Sequence, residues 1–106
     1  MATEIRHVMF TVEEAITALR EYCISAGKRF PHQVAVFSVE GVYDPLVRVS
    51  PPADLAGSEK SVSFAGKELV APLLLYCRRK KIPLPARGEK EIVILNKQLT
   101  LVIKLR

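Results

Sequence analysis

The residues that could carry chemistry are few, and they are widely spaced along the chain. Neither His7 nor His32 has a second His, Cys or carboxylate at metal-ligand spacing, and a metal site needs three or four ligands. Cys23 and Cys77 fall on apolar helix stripes, where nothing indicates a lowered thiol pKa. The five glycines are scattered and form no phosphate-binding loop. We therefore predict no catalytic residue, no metal site and no cofactor, and a non-enzymatic protein.

A run of four cations closes the second predicted helix. It aligns with an uncharged stretch at the end of the first helix, so it is a difference between the two halves of the chain. It indicates an anion-binding patch for nucleic acid or another polyanion, although cations in a last helical turn also stabilise the helix dipole. The candidate anion-binding residues are Arg78, Arg79, Lys80, Lys81, Arg87 and Lys90.

The net charge of +5 is unevenly distributed. Residues 1–54 hold five Lys/Arg and seven Asp/Glu, a charge of −2, whereas residues 55–106 hold eleven and four, a charge of +7. Such asymmetry concerns partners and association more than fold. It places the expected polyanion surface in the second half of the chain.

Residues 8–31 align with residues 62–85 without a gap, at an offset of 54. Seven of these 24 positions are identical, whereas about one or two are expected by chance at ordinary residue usage. The identical pairs are Val8/Val62, Phe10/Phe64, Glu14/Glu68, Leu19/Leu73, Tyr22/Tyr76, Cys23/Cys77 and Pro31/Pro85. The sequence therefore predicts two tandem copies of one β-α-β-β unit.

Local signals place the elements of each copy. Thr11 and Glu14 form a capping box that begins the first helix, and Gly27 stands where that helix ends. The second helix is predicted from about Gly66 to Lys80, with Pro72 producing a kink or a late start. The predicted strands cover 5–10, 33–39, 42–49, 61–64, 91–95 and 99–105, with a tight turn at residues 96–97.

The predicted architecture is α+β, with one mainly antiparallel sheet and both helices on one face of it. The two copies, about 5–49 and 61–105, are expected to form one domain over residues 1–106, because a unit of about 50 residues is marginal alone. Residues 50–60 contain Pro, Ser and Gly, and are expected to be a surface connector.

The second helix is apolar nearly all round, and such a helix must be buried nearly all round. Leu74 and Leu75 stand where the first helix has Arg20 and Glu21. We predict a homodimer with Val70, Leu74 and Leu75 as interface candidates. The alternative is that these side chains are buried within the monomer.

The composition indicates a globular protein, with 49% hydrophobic and 25% charged residues. The longest nearly unbroken apolar run, Leu69 to Cys77, is far shorter than the roughly 20 residues of a membrane span. We expect no membrane contact, no secretory signal and a cytoplasmic location. The two cysteines are expected to be free and buried.

The stretch from Ile5 to Val12 (IRHVMFTV), followed by a helix containing Ile16 and Tyr22, resembles the opening of a glyoxalase/bleomycin-resistance module. Proteins of that family also duplicate a strand-helix-strands unit. The resemblance implies that His7 is a metal ligand in a cleft between the copies. Ser61 stands at the matching position of the second copy, which departs from the family pattern.

Three hypotheses about function follow. The first is a small interaction or regulatory module that acts by self-association or by binding a partner. The second is binding of nucleic acid or another polyanion through the basic end of the second helix. The third is a small-molecule or metal-binding cleft between the copies.

Overall fold

The computed structural model describes residues 4–52, 60–85 and 87–105. Its elements, in chain order, are β1 (Glu4–Phe10), α1 (Val12–Ala26), β2 (Val36–Glu40), β3 (Leu46–Ser50), β4 (Val62–Phe64), a 3-10 helix (Gly66–Leu69), α2 (Val70–Arg79), β5 (Glu89–Leu95) and β6 (Gln98–Leu105). The predicted α+β class is confirmed. The predicted surface connector falls mostly on residues 53–59, which lie outside the described residues.

The first helix begins at the predicted capping box. Glu14 donates its amide to Thr11 Oγ1 at 3.1 Å, and Thr11 donates its amide to Glu14 Oε1 at 2.9 Å. These two bonds satisfy amides that have no partner within the helix, and such a cap contributes about 1 kcal/mol. In the second copy Ala65 offers no side-chain acceptor, but its amide donates to Glu68 Oε1 at 3.0 Å.

The second helix starts late, which is one of the two outcomes predicted for Pro72. A 3-10 turn over Gly66–Leu69 precedes α2, and the α-helix proper begins at Val70. Pro72 therefore lies in the first turn of α2, where its missing amide removes no hydrogen bond within the helix.

Both helices end in the same backbone conformation. Gly27 follows α1 with φ 69°, and the amide after it donates to the Cys23 carbonyl at 2.8 Å. Lys81, two residues after the end of α2, has φ 58°, and the amide after it donates to the Cys77 carbonyl at 2.8 Å. The two ends are 54 positions apart, which is compatible with the proposed repeat.

The strands form two three-stranded antiparallel sheets, which differs from the single sheet that the sequence predicted. The order is β1-β6-β5 in the first sheet and β2-β3-β4 in the second. The predicted strand over 42–49 begins only at Leu46, because residues 42–44 leave β2 and lie against the edge of β5 instead.

Each sheet combines parts of both proposed copies. The first strand of copy one, β1, pairs with the last strand of the β5–β6 hairpin. The first strand of copy two, β4, pairs with β3 of the β2–β3 hairpin. This exchange is compatible with the repeat, and it links the two proposed copies through both sheets.

Residues of both sheets and both helices form one hydrophobic core. Leu19 and Leu73, which are equivalent in the proposed repeat, are each 0% exposed, and burying a leucine contributes about 1.5–3 kcal/mol. Cys23 and Cys77 are free and buried, as predicted.

The apolar residues of α2 divide between the core and the surface. Val70 and Leu74 are partly buried and pack against the core, and Leu75 is also half-buried. Much of this surface is therefore used within the monomer, and the homodimer through Val70, Leu74 and Leu75 stays a prediction. Within the described residues, neither helix is long and apolar enough to cross a membrane. The cytoplasmic location also stays a prediction.

Candidate functional site

A large cleft lies where the C-terminal half of α1, the segment that follows it and the start of β4 meet. Its volume is about 940 Å³. The lining residues are Arg20, Ile24, Lys28, Arg29, Phe30, Pro31, His32, Lys60, Ser61 and Val62. We call this the basic cleft.

The charged side chains among the described lining residues of the basic cleft are all positive. Arg20, Lys28, Arg29 and Lys60 line it, and no carboxylate is present among its described lining residues. A concave site lined by cations focuses the electric field and attracts anions from solution. Three of these cations come from the half of the chain whose net charge is negative.

The end of α1 brings two of the cations to the cleft. The left-handed conformation of Gly27 turns the chain sharply after the helix, so that Lys28 and Arg29 line the cleft beside residues of α1. Lys28 Nζ lies 5.7 Å from the centroid of the Tyr22 ring, within the range of a cation–π contact. Arg29 is exposed.

Arg20 joins the helix to the segment beyond it. Its guanidinium carbon lies 5.5 Å from the centroid of the Phe30 ring, and Nη2 donates to the carbonyl oxygen of His32 at 3.3 Å. These two contacts hold the 30–32 segment against α1. Arg20 therefore shapes the cleft as well as charging it.

Apolar side chains provide the rest of the lining. Ile24 is 71% exposed, which is unusual for isoleucine, and Phe30 and Val62 are half-buried. A cleft that combines cations with an aromatic ring and aliphatic side chains suits a ligand with anionic groups and flat apolar groups.

The predicted basic cluster at the end of α2 lies next to the cleft. Arg79 Nη1 forms an ion pair with Glu21 Oε2 at 2.7 Å, and Nη2 donates to Ser25 Oγ at 3.2 Å. Glu21 and Ser25 are the sequence neighbours of Arg20 and Ile24, which line the cleft. Arg79 therefore joins the two helices, and its charge is largely balanced by Glu21.

The other cations of this cluster are more available. Arg78, Lys80 and Lys81 are exposed, and Lys80 Nζ lies 5.8 Å from the centroid of the Tyr76 ring. Arg87 and Lys90 lie apart, at the start of β5, and neither lines the cleft. Arg87 is exposed, and Lys90 Nζ donates to the Gly88 carbonyl at 3.3 Å.

Lys81 occupies a backbone conformation that favours glycine. For an L-residue with a side chain the left-handed region costs about 1–2 kcal/mol, and the equivalent residue of the first copy is glycine. Lysine stands there instead, exposed and next to three other cations. A strained residue of this kind is a reason to suspect function.

Glu14 and the buried groups near it form a structural contact and offer no nucleophile. Tyr76 donates its hydroxyl to Glu14 Oε2 at 3.4 Å. Burial, and secondly the Glu14 carboxylate, raises the pKa of Tyr76 and of the Cys77 thiol. Burial also raises the pKa of Cys23, against a smaller opposing effect of Lys28. Thiols with a raised pKa are poor nucleophiles at neutral pH.

The metal site implied by the family resemblance is not assembled in the described part of the chain. His7 is exposed on β1 opposite Val102. Over residues 4–52, 60–85 and 87–105, no group of three or more His, Cys, Asp or Glu side chains could hold a metal ion. Glu14 and Glu68 bond within separate helix caps.

The net charges of the two halves of the chain do not predict the basic cleft, because its cations come from both halves. Lys28 and Arg29 were visible as cations at a helix end, but they belong to the acidic half. Lys60 reaches the cleft only because β4 pairs with β3 of the other copy. A helical projection that placed Arg20 and Ile24 one turn apart, ahead of Lys28, would have been the available signal.

Comparisons with known proteins add no relative. A scan against protein-family models found no match to this chain, and searches of curated proteins and of solved structures also found none. The function must therefore be argued from the cleft itself.

Proposed function

We propose that this protein binds nucleic acid, as a polyanion, through the basic cleft. The observation that carries the proposal is the set of four cations, Arg20, Lys28, Arg29 and Lys60, on one concave surface whose described lining contains no carboxylate. Phosphate groups would contact these cations. Phe30 and Ile24 would contact bases, as apolar and aromatic side chains do in grooves for single strands.

The basic end of α2 supports the same proposal. The Arg79 contacts with Glu21 and Ser25 fix this end beside the cleft, and the exposed Arg78 and Lys81 would extend the positive surface. A longer surface neutralises more phosphates and releases more counterions, which increases affinity at low salt. Arg79 contributes by position, because its charge is paired.

Binding of a fluorescent single-stranded oligonucleotide, followed by anisotropy, tests the proposal. The cleft variant replaces two exposed cations that have no described hydrogen bond, Arg29→Gln and Lys60→Gln. The matched control replaces two exposed cations elsewhere, Arg48→Gln on β3 and Lys67→Gln before α2. Both variants lose the same charge, so they differ only in its place.

We expect the cleft variant to bind roughly tenfold to thirtyfold more weakly near 0.1 M salt, from the loss of two phosphate contacts to a single strand. The control is expected to change by less than about threefold, through the general loss of charge. Equal losses in both variants would mean that net charge alone attracts the oligonucleotide, and would reject the cleft as the site.

Self-association is a second candidate function. It rests on Val70, Leu74 and Leu75, each of which keeps part of its apolar surface exposed. A variant with Leu75→Gln should shift a dimer to a monomer in a molar-mass measurement, because a polar group would enter the interface. A wild-type chain that is monomeric at high micromolar concentration would end this proposal.

A further inference from the structure

The chain covers one edge of its first sheet with its own backbone. Val42, Tyr43 and Asp44, which we call the junction segment, lie along the outer edge of β5. Asp44 donates its amide to the Ile92 carbonyl at 3.2 Å, and Ile94 donates its amide to the Val42 carbonyl at 2.9 Å. The junction segment therefore adds a short extra strand to the sheet and links the two sheets.

The corresponding edge of the second sheet has no such cover within the described residues. β2 is the outer strand of that sheet, as β5 is of the first. The connection that could have covered β2 is the β5–β6 turn, but it consists of only two residues, Asn96 and Lys97, both with positive φ. A two-residue turn closes its own hairpin and cannot reach a neighbouring strand.

A groove of about 370 Å³ remains between β2 and the tip of the β5–β6 hairpin. We call it the open groove. Its main apolar lining residues are Phe37, Val39, Ile94 and Leu99, and Lys97 is its one charged residue among those described. β2 is thus an edge strand beside an apolar groove, an arrangement that accepts an extended peptide.

The packing at the covered edge of β5 shows how closely a backbone segment can approach an edge of this kind. A Cβ atom on Gly66 would lie 2.5 Å from the Asp44 Cα, so glycine is what allows the junction segment to approach. The equivalent residue beside the open groove is Val12, which is 53% exposed. Where the chain covers its own edge, the cover is a short backbone pairing. Val42 and Tyr43 keep exposed side chains, and the chain turns away at Asp44, which has a φ of 47°.

We infer that the open groove binds an extended peptide segment of a partner protein, which adds as a strand to the edge of β2. The segment would carry an apolar side chain, which suits the apolar lining of the groove, and a carboxylate, which suits Lys97. This site is separate from the basic cleft and does not depend on the proposed nucleic-acid binding.

The test uses the full chain, isotopically labelled, and a synthetic peptide with acetyl and amide ends, Thr-Val-Tyr-Asp-Val-Thr. This probe has the Val-Tyr-Asp centre of the junction segment and flanking residues that favour strands. We expect saturable NMR shifts and slowed amide exchange on Val36–Glu40. A control peptide with an N-methyl group on the Asp amide, the amide that pairs with β5 in the junction segment, should bind at least about tenfold more weakly, by the cost of a lost backbone pairing.

Two protein variants locate the site. Lys97→Glu, on an exposed turn, should weaken binding of the acidic probe at least about threefold through charge repulsion. The cleft variant with Arg29→Gln and Lys60→Gln should bind the probe as the wild type does. Loss of probe binding in that variant would show an acidic peptide in the basic cleft and would overturn the inference.

Two other results would also overturn it. One is the absence of any shift on β2 at millimolar probe. The other is a change of the β2 amides with protein concentration alone, which would identify a second copy of the chain as the occupant of the groove.

Discussion

The ends of the two helices have the same backbone conformation and different side chains. Both end in a left-handed residue, followed by an amide bonded to the carbonyl of Cys23 or Cys77. The first uses Gly27, which has no strain, and the second uses Lys81, which adds a charge at a conformational cost. The comparison teaches that the proposed repeat maintains the scaffold, whereas the residues that differ between the copies modify its surface.

The two sheet edges differ in the same way. The outer edge of β5 is covered by the junction segment, and Gly66 allows its close approach. The outer edge of β2 faces the open groove, and Val12 stands at the position equivalent to Gly66. The outer edge of β5 is thus covered by the chain itself, whereas the outer edge of β2 is not covered within the described residues.

The largest effects are expected where the two copies are alike. Leu19→Ala and Leu73→Ala each remove a fully buried side chain and should each lower the free energy of unfolding by about 2–5 kcal/mol. Because one core contains both, each variant should still unfold in a single transition in urea. Two separate transitions would show that the copies are independent units.

The next largest effect on stability distinguishes the covered edge of β5 from the uncovered edge of β2. Gly66→Ala should cost about 1–3 kcal/mol, because the new methyl group would overlap the backbone of Asp44. The control at the equivalent position, Val12→Ala, removes an exposed side chain and should change stability by about 0.5 kcal/mol or less. Urea unfolding of both measures the difference, and similar small costs would contradict the tight approach at Gly66.

Exchanging the residue types at the two helix ends, Gly27 and Lys81, should have opposite effects on the free energy of unfolding. Lys81→Gly should raise the free energy of unfolding by about 1 kcal/mol, and Gly27→Lys should lower it by about 1 kcal/mol. The Gly27 change isolates the backbone effect, because a Cβ atom there would meet nothing within 4 Å. Thermal unfolding measures both. If Lys81→Gly is stabilising and also weakens oligonucleotide binding, the lysine is retained for binding.

The smallest effect concerns pH, and it involves three buried groups, the Cys23 and Cys77 thiols and, at still higher pH, the Tyr76 hydroxyl, whose pKa is also raised by burial. Burial raises the pKa of Cys23 and Cys77 in the folded chain above the ordinary value of 9.0. Above that pH the unfolded thiols ionise while the folded ones stay protonated, so the free energy of unfolding should fall as pH rises.

The double variant Cys23→Ala and Cys77→Ala provides the control for this pH dependence. Its stability should decrease less steeply with alkaline pH, although its absolute value is lower. An equal slope in the variant and the wild type would show that other groups cause the decrease.

Local features of the fold were predictable from the sequence. The Thr11–Glu14 cap, the helix end at Gly27 and the tight turn at Asn96 each depend on a few adjacent residues. The division into two sheets was not predictable in this way. It depends on which strands pair over long stretches of the chain, and no local pattern specifies that pairing.

None of the six anion-binding residues predicted from the sequence lines the basic cleft. The cations of the second helix were identified, but the structure pairs Arg79 with Glu21 and places Arg87 and Lys90 outside the cleft. The cleft itself gathers Arg20, Lys28 and Lys60 from separated positions. Their proximity follows from strand exchange and from one helix end, which are tertiary features.

The salt dependence of oligonucleotide binding tests the central claim most directly. For a single strand, the slope of log affinity against log salt is about −0.7 for each phosphate neutralised. The cleft variant with Arg29→Gln and Lys60→Gln should therefore have a slope smaller in magnitude by about 1.4, whereas the control with Arg48→Gln and Lys67→Gln should keep the wild-type slope. Identical slopes in all three proteins would contradict binding of the phosphates in the basic cleft.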